Sequence, residues 1–345
     1  MDFAFQITDW YHQNKRNLPW RNTRNPYHIW LSEIMLQQTR VAQGLPYYYA
    51  FTEAFPTVTD LAKAPEERVL KLWQGLGYYS RARNLHQTAQ KIAFEFNGQF
   101  PESYQELLKL KGIGNYTAAA IASFCFDQKV PVVDGNVYRV LARYFAMDTD
   151  IASSGAYKEF FALANELILD ENPGLFNQAI MEFGALQCVP KSPNCNQCPL
   201  SSGCLAKAKQ KVNVLPVKIS KTKVQEKHFN YIFFEDDLEQ TLLVQRSNSG
   251  IWKKLYEFPL IETAEVATED VIINWLNKSE YQKQWLSVTQ LISAEISHRL
   301  THRLLHIKFW KVRIKSQLNN GLSRASALAL PTPIVIFNFM NKQWS

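Results

Sequence analysis

Apolar residues recur at three- and four-residue spacing through most of residues 3–207. This spacing places apolar side chains on one face of a helix, so it predicts a mostly helical region. The strongest segments are FAFQITDWYHQ, PYHIWLSEIMLQQTRV, PEERVLKLWQGL, ARNLHQTAQKIAFEF, YTAAAIASFCF and GNVYRVLARYF. Pro and Gly stand between them, where they are expected to separate one helix from the next.

The pattern changes twice in the rest of the chain. Residues 209–227 are basic and show no strong periodicity, as is typical of a linker. From residue 228 onwards strand patterns dominate, in HFNYIFFE, TLLVQR, LLHIKFWKVRI and TPIVIFNF, with one helix predicted at EDVIINWLN. We therefore predict a helical domain over residues 1–208, a linker over 209–227 and an α+β domain over 228–345.

Composition adds constraints on partners and location. The chain has 345 residues, of which 46% are apolar, enough for two hydrophobic cores. The net charge of +7 favours a polyanionic partner without requiring one. Because no apolar run approaches the length of a bilayer-spanning helix, we expect a cytoplasmic protein with no membrane partner.

Four of the five cysteines, Cys188, Cys195, Cys198 and Cys204, follow the spacing C-x6-C-x2-C-x5-C. Four thiolates this close in sequence can converge on one centre, and thiolates favour iron–sulfur clusters or zinc over harder ions. Structural zinc sites usually pair two short C-x2–4-C knuckles, and this segment has one, so the spacing favours a cluster. Zinc and disulfides stay as alternatives, although no apolar leader opens the chain and a reducing compartment is expected.

Two carboxylates stand out by their surroundings. Glu33 lies in WLSEIMLQQ, where burial is expected to raise its pKa into the range of a general acid. Asp134 follows VPVV and begins DGNVYRVLARYF, where N-capping and the helix dipole favour its anion. An acid and an anion of this kind suit cleavage of a glycosidic bond through an oxocarbenium-like state. A polar helix strip for Glu33 and an ordinary N-cap for Asp134 are the alternatives.

Two further segments have the features of DNA-binding elements. LKGIGNYTAAAIASF predicts a helix, a tight turn at Gly112 and Gly114, and a second helix whose free N–H groups can bind phosphate. Such a hairpin binds the DNA backbone without contacting the bases that define its sequence. LWQGLGYYSRARNL, with Leu76 and Tyr78, combines apolar wedges with phosphate-binding cations. An ordinary helix–helix turn and a packed helix end are the alternatives.

These motifs together resemble the endonuclease III superfamily of helix-hairpin-helix DNA glycosylases. Within it, LPWR, WLSEIMLQQTRV, GLGYYSRARNL and VDGNVYRVLAR resemble the adenine DNA glycosylase (MutY-type) branch. The resemblance covers nearly all of residues 5–206. It implies a helix-hairpin-helix fold in which the four cysteines hold a [4Fe-4S] cluster that shapes a DNA-contacting loop and takes no part in bond cleavage.

The resemblance also implies roles for individual residues. Glu33 would protonate adenine, and Asp134 would stabilise the sugar cation. Tyr116 and Asn136 would position groups around the reaction centre. An adenine pocket is implied at Arg16, Trp20 and Gln178, and contacts with the duplex or the lesion at Gln38, Leu76, Tyr78, Gly112 and Gly114. Bifunctional relatives place a Lys where this chain has Tyr116, so no Schiff base and no strand cleavage are expected.

The C-terminal segment IWKKLYEFP resembles the Nudix-like domain of the same branch, which reads 8-oxoguanine. The usual Phe-Ser-His turn is Leu300-Thr301-His302 here, so Thr301 and His302 keep two of its three side-chain types. The predicted protein is a monomeric, monofunctional base-excision-repair glycosylase that removes adenine mispaired with 8-oxoguanine or G in double-stranded DNA. The alternatives are a thymine-mismatch glycosylase, a bifunctional glycosylase/lyase and a non-catalytic iron–sulfur DNA-binding protein.

Overall fold

The computed structural model describes residues 3–219, 224–246, 250–291 and 296–344. The chain folds as two compact units. The first unit comprises Met1–Lys63 and Arg83–Ser220, and the second comprises Ala64–Ala82 and Lys221–Ser345. Among the described residues, no helix is both long enough and apolar enough to cross a bilayer.

Helices make up the first two-thirds of the described chain. In chain order they are α1 (Phe3–Asn14), a 3-10 helix (Pro19–Arg21), α2 (Pro26–Met35), α3 (Val41–Ala54), α4 (Val58–Lys63), α5 (Glu66–Leu72), α6 (Tyr79–Glu95), α7 (Tyr104–Leu107), α8 (Asn115–Phe126), α9 (Gly135–Tyr144), α10 (Ala156–Leu167), α11 (Pro173–Leu186) and α12 (Leu205–Ala208). The prediction of a mostly helical N-terminal region is confirmed.

A core between α1, α9, α10 and α11 supports one side of the first unit. Its fully buried side chains include Ile7, Leu141, Phe160, Ile180 and Phe183. Burying each such side chain contributes roughly 1.5–3 kcal/mol. This core holds α9 and α11 in place, and both helices carry residues of the site described below.

The second unit is built on a five-stranded mixed sheet. Its strands are β1 (Gln225–Glu235), β4 (Leu260–Thr263), β5 (Trp285–Gln290), β6 (Ile296–Arg299) and β7 (Arg303–Ile314). Strands β1 and β7 are parallel, while β4 pairs with β1 and both β5 and β6 pair with β7 in antiparallel fashion. Strands β2 (Val244–Gln245) and β3 (Tyr256–Glu257) form a separate pair.

The C-terminal helices that accompany this sheet are α13 (Glu269–Leu276), α14 (Arg324–Ala329) and α15 (Ile334–Trp344). Side chains of β1 alternate between two cores, one shared with α15 and one shared with α13. The segment TPIVIFNF, predicted as a strand, is helical from Ile334 onwards, so that prediction is wrong. Its buried residues Val335, Ile336, Phe339 and Met340 follow a helical spacing, and the β-branched residues obscured that spacing.

Residues 64–82 pack with the C-terminal sheet and helices in the second unit. Lys71 Nζ donates to the carbonyl of Leu328 at 2.6 Å, and Gln74 Nε2 donates to Thr332 Oγ1 at 3.2 Å. Part of the predicted linker packs in the first unit, where Leu215 O accepts from the Arg143 guanidinium at 3.0 Å. The domain boundaries given above stay a prediction.

Candidate active site

Glu33 is held inside the first unit by α2. This helix begins at Pro26, and the side chain of Asn25 caps it by accepting from the Tyr27 N–H at 2.9 Å. Glu33 is only 6% exposed, and its Oε2 accepts a short hydrogen bond from the hydroxyl of Tyr116 on α8. Burial raises the pKa of Glu33 to about 7, with the Tyr116 hydrogen bond working against the rise and the charge of Asp134 adding to it. A carboxylic acid of this pKa can act as a general acid at neutral pH.

Asp134 caps the start of α9, as predicted. Its Oδ1 accepts from the N–H groups of Asn136 at 2.9 Å and Val137 at 2.8 Å, and its Oδ2 accepts from Asn136 Nδ2 at 2.8 Å. These hydrogen bonds favour the anion, as predicted, but burial acts against them and leaves the pKa of Asp134 raised on balance, so its ionised state stays a prediction. Asp134 accepts three N–H hydrogen bonds and Glu33 accepts one from a hydroxyl, so Asp134 is the better stabilised of the two as an anion.

The two carboxyl groups line one pocket of about 660 Å³. The sequence predicted seven of its lining residues: Arg16, Trp20, Glu33, Tyr116, Asp134, Asn136 and Gln178. Burial and the neighbouring carboxylates raise the pKa of Tyr116 well above its usual value, so its hydroxyl stays protonated. The structure therefore brings the predicted acid, anion and base-contacting residues into one cavity.

Sequence reasoning missed Glu182, which also lines this pocket. Glu182 lies on α11, is 1% exposed and accepts from Arg16 Nε and Arg21 Nη1, both at 2.8 Å. Burial alone would raise the pKa of Glu182, but the hydrogen bonds from both guanidinium groups lower it to about 2. The available signal was an acidic residue inside the apolar segment FNQAIMEFGAL, the same signal that identified Glu33.

Arg139 connects the Asp134 side of the pocket to the cysteine segment. Its Nη2 donates to Asn136 Oδ1 at 2.8 Å and to the Gly184 carbonyl at 2.6 Å, while its Nε donates to the Cys188 carbonyl at 2.7 Å. Helix α11 approaches α9 closely at Gly184, where an added Cβ would lie 2.7 Å from the Cβ of Asn136. A side chain at Gly184 would therefore displace the residue that donates to Asp134.

The predicted hairpin lies between α7 and α8. Gly112 has a φ of +79°, and an added Cβ would meet the Asn84 Cβ at 2.8 Å, so only glycine fits there. Gly114 precedes α8, which has no side-chain cap, and an added Cβ at Gly114 would meet nothing within 4 Å. The hairpin thus presents exposed backbone and the free N–H groups of a helix start, as a phosphate contact requires.

The residues predicted to contact the duplex lie on both units. Gln38 is exposed in the first unit with a φ of +56°. In the second unit Leu76 is buried, while Tyr78 is 46% exposed and its hydroxyl forms a 2.7 Å hydrogen bond with Thr301 Oγ1. Thr301 and His302 are exposed in the turn between β6 and β7. Their contacts with DNA stay predictions.

Cys188, Cys195, Cys198 and Cys204 line one small pocket, and all four are free thiols. Arg143 Nη1 donates to Cys188 Sγ at 3.3 Å. Burial, together with the charges of the other three thiols, raises the pKa of Cys198 to about 11, so a cation is needed to hold four thiolates here. Within the described ranges no three His, Cys, Asp or Glu side chains are arranged to hold a single metal ion. Four soft donors around a shared pocket fit an iron–sulfur cluster or zinc.

The family models that match the chain agree with this geometry. Residues 31–166 match the HhH-GPD superfamily base excision DNA repair protein, and residues 230–337 match the NUDIX domain. Among solved structures, a thermostable thymine-DNA glycosylase is 30% identical, with a TM-score of 0.56 over 60% of this chain and 95% of that one. An endonuclease III–DNA complex at 24% identity and a TM-score of 0.52 covers 60% of this chain and 94% of its own, and supports the fold.

Curated relatives named adenine DNA glycosylase match most of this chain. The protein of Buchnera aphidicola subsp. Baizongia pistaciae is 36% identical over 96% of this chain and 94% of its own length. The Arabidopsis thaliana protein is 36% identical over 88% of this chain and 55% of its own. The Homo sapiens protein is 34% identical over 91% of this chain and 67% of its own.

Proposed function

The chain belongs to the adenine DNA glycosylase family, and we propose that it removes adenine from mispaired DNA by hydrolysing the N-glycosidic bond. The observation that supports this most strongly is the pairing of Glu33 with Asp134 in one pocket, where burial raises the pKa of Glu33 to about 7. This pairing supplies an acid for the leaving base and an anion for the sugar.

We propose the following steps. Glu33 donates its proton to a ring nitrogen of adenine, so that the base leaves with the electrons of the broken C1′–N bond. The Asp134 carboxylate stabilises the oxocarbenium-like sugar, and its N–H donors hold it in position and favour its anion. A water then adds to C1′ and returns a proton to the Glu33 carboxylate, which restores the enzyme.

The residues that line the pocket support a monofunctional enzyme, which removes the base without cutting the strand. Strand cleavage by the lyase route needs a lysine amine next to C1′. Among the described residues that line the pocket, the cations are arginines, and the hydroxyl of Tyr116 is bound to Glu33. An arginine guanidinium stays protonated, so it cannot form a Schiff base.

Selection of adenine is assigned to the wall formed by Arg16, Trp20, Gln178 and Glu182. Trp20 supplies an aromatic surface, and Gln178 supplies an amide whose oxygen already accepts from the Tyr11 hydroxyl at 2.7 Å. The Glu182 carboxylate holds the guanidinium groups of Arg16 and Arg21 in place. Fixed polar groups of this kind reject a base that cannot match their hydrogen bonds.

We further propose that the partner base is 8-oxoguanine or G. Support comes from the match to the NUDIX domain, from the exposed turn that carries Thr301 and His302, and from the link between Thr301 and Tyr78. A Thr hydroxyl and an imidazole can hydrogen-bond the lesion or its phosphate. Leu300 stands in place of the usual Phe, and Tyr78, which is 46% exposed, supplies an aromatic ring next to Thr301.

We assign a [4Fe-4S] cluster to Cys188, Cys195, Cys198 and Cys204. Their free thiols and shared pocket support it. When bound, the cluster would supply folding free energy and hold the DNA-contacting loop, whereas the pocket of Glu33 and Asp134 carries the bond chemistry. A monomeric state and a cytoplasmic location stay predictions.

The test uses purified protein with duplexes that carry A opposite 8-oxoguanine, A opposite G and T opposite G, followed by hot alkali to reveal abasic sites. We expect cleavage after alkali at adenine in the first two duplexes and none at thymine. A parallel incubation with borohydride should trap little protein on DNA. Thymine excision would support the thymine-mismatch alternative, and efficient trapping would support the lyase.

A further inference from the structure

A second pocket of about 410 Å³ lies next to the active site in the first unit. It shares four lining side chains with the active-site pocket: Arg16, Arg21, Phe124 and Gln178. We propose that this second pocket, the rear pocket, is the binding and exit site for the free adenine base after excision. This inference rests on the proposed function and concerns a step that follows bond cleavage.

A separate exit is useful because the flipped nucleotide blocks the entrance of the active-site pocket. An extruded adenine enters its pocket while still attached to the backbone, so its sugar and phosphates occupy the entrance. After cleavage the abasic strand still occupies that entrance as long as the DNA stays bound. A second opening lets the base leave without prior release of the DNA product, a step that often limits turnover.

The side chains between the two pockets differ in how firmly they are held. Arg16 and Arg21 are bound by the Glu182 carboxylate, whose charge-assisted hydrogen bonds are strong. Gln178 is held at its amide oxygen by the neutral hydroxyl of Tyr11 at 2.7 Å. A neutral hydrogen bond is the weaker restraint, so rotation of Gln178 is the route that opens one pocket to the other.

The rear pocket has the chemistry of a purine site. The amide groups of Asn17, Asn22 and Asn172 line it. Asn22 Nδ2 donates to Asn17 Oδ1, and Asn172 Oδ1 accepts from the Leu175 N–H, both at 3.0 Å. The other polar atom of each amide can pair with the donor or the acceptor along the edge of adenine. Phe124, which is half-buried, supplies an aromatic ring on which a base can stack. Its carboxylate, Asp127, is paired with Arg24, so the pocket carries no unpaired negative charge among its described residues.

The experiment measures access to the active site with and without DNA. The probe is 2-aminopurine, a fluorescent isomer of adenine, mixed in a stopped-flow instrument with the free protein or with its complex with a duplex containing a tetrahydrofuran abasic analogue. Asn22→Trp and Leu175→Trp each place a large side chain at the rear pocket. Gln13→Trp is the matched control, because Gln13 is exposed and does not line that pocket.

We expect the wild-type DNA complex to take up the probe within about threefold of the rate of the free protein. Asn22→Trp and Leu175→Trp should slow uptake by the DNA complex at least tenfold while leaving uptake by the free protein unchanged, and Gln13→Trp should match the wild type. Tyr11→Phe, which frees Gln178, should take up the probe at least as fast as the wild type.

Two results would overturn the proposal: exclusion of the probe from the wild-type complex, or wild-type uptake by both Trp variants when their melting temperatures are unchanged. If one Trp variant fails to fold, the other still tests the proposal, because Asn22 and Leu175 lie on different segments of the chain. The assay needs no bond cleavage, so it can fail while adenine excision is intact, and the proposed function can fail independently in the alkali assay.

Discussion

The ionised form of Glu33 is predicted to destabilise the protein, so its removal should stabilise the fold while abolishing activity. Burial raises the pKa of this carboxyl from 4.5 to about 7. A group whose pKa is higher in the folded state gives its full stabilisation below the unfolded pKa and loses it as the pH rises through the folded pKa. The window for Glu33 therefore runs from about pH 4.5 to just above pH 7.

The size of the effect follows from the pKa. A rise from 4.5 to about 7 corresponds to about 3 kcal/mol of lost stability once Glu33 is fully ionised. Glu33→Gln has no such ionisation. The difference in unfolding free energy between the variant and the wild type should therefore shift in favour of the variant by roughly 2–3 kcal/mol from pH 5 to pH 8. The measurement is urea unfolding of both proteins at the two pH values, followed by helical circular dichroism.

Comparing the stability difference at the two pH values separates the effect of the Glu33 charge from the effect of the changed side chain. Any packing cost of Gln is the same at pH 5 and pH 8, so it cancels when the two gaps are compared. Adenine excision by the variant should fall by about 10²–10⁴-fold because general acid catalysis is lost. A stability gap between variant and wild type that does not change with pH would refute the assignment of a raised pKa to Glu33.

Three other substitutions test the surroundings of the site. Asp134→Asn should lower single-turnover excision by about 10² or more by removing the anion that faces the sugar, while gel-shift affinity for the duplex persists. Gly184→Ala should cost about 1–3 kcal/mol of stability and lower excision, because its methyl group would collide with Asn136; Gly155→Ala, where an added Cβ meets nothing, is the control. Cys198→Ser should lose iron and sulfide on elemental analysis and should melt at a lower temperature, whereas normal metal content would contradict the cluster.

Much of the site could be predicted because its residues interrupt strong patterns. Glu33 breaks an apolar helix, and the structure buries it as that pattern indicated, which excludes the alternative of an exposed polar strip. Asp134 stands where an apolar run meets an amphipathic helix, and the structure confirms its capping position. Patterns of this kind are local, so they can be read without knowledge of the packing around them.

The net pKa of Asp134 could not be predicted from the same pattern. Capping and the helix dipole are visible in the sequence, whereas the loss of solvent depends on which helices close over the cap. Glu182 was missed for a related reason. Its role depends on Arg16 and Arg21, which are more than 160 positions away in the chain.

The second unit shows two further limits of local patterns. TPIVIFNF is rich in β-branched residues, and the helix that it forms is stabilised by burial of Ile336 and Met340 against the sheet. Residues 64–82 have helical periodicity like their neighbours, yet they pack with the C-terminal sheet and helices. Helical periodicity identifies the element and its buried face, but it does not identify the element on which that face packs.

The pH dependence of adenine excision tests the central claim most directly. The measurement is the single-turnover rate constant on a duplex with A opposite 8-oxoguanine, from pH 6 to pH 9, with abasic sites revealed by alkali. If protonated Glu33 is the general acid, the rate should fall about tenfold per pH unit above about pH 7, since only about 1 in 100 molecules keeps the proton at pH 9. A rate constant that stays level through pH 9 in the wild type, or near-normal excision by Glu33→Gln, would contradict the account.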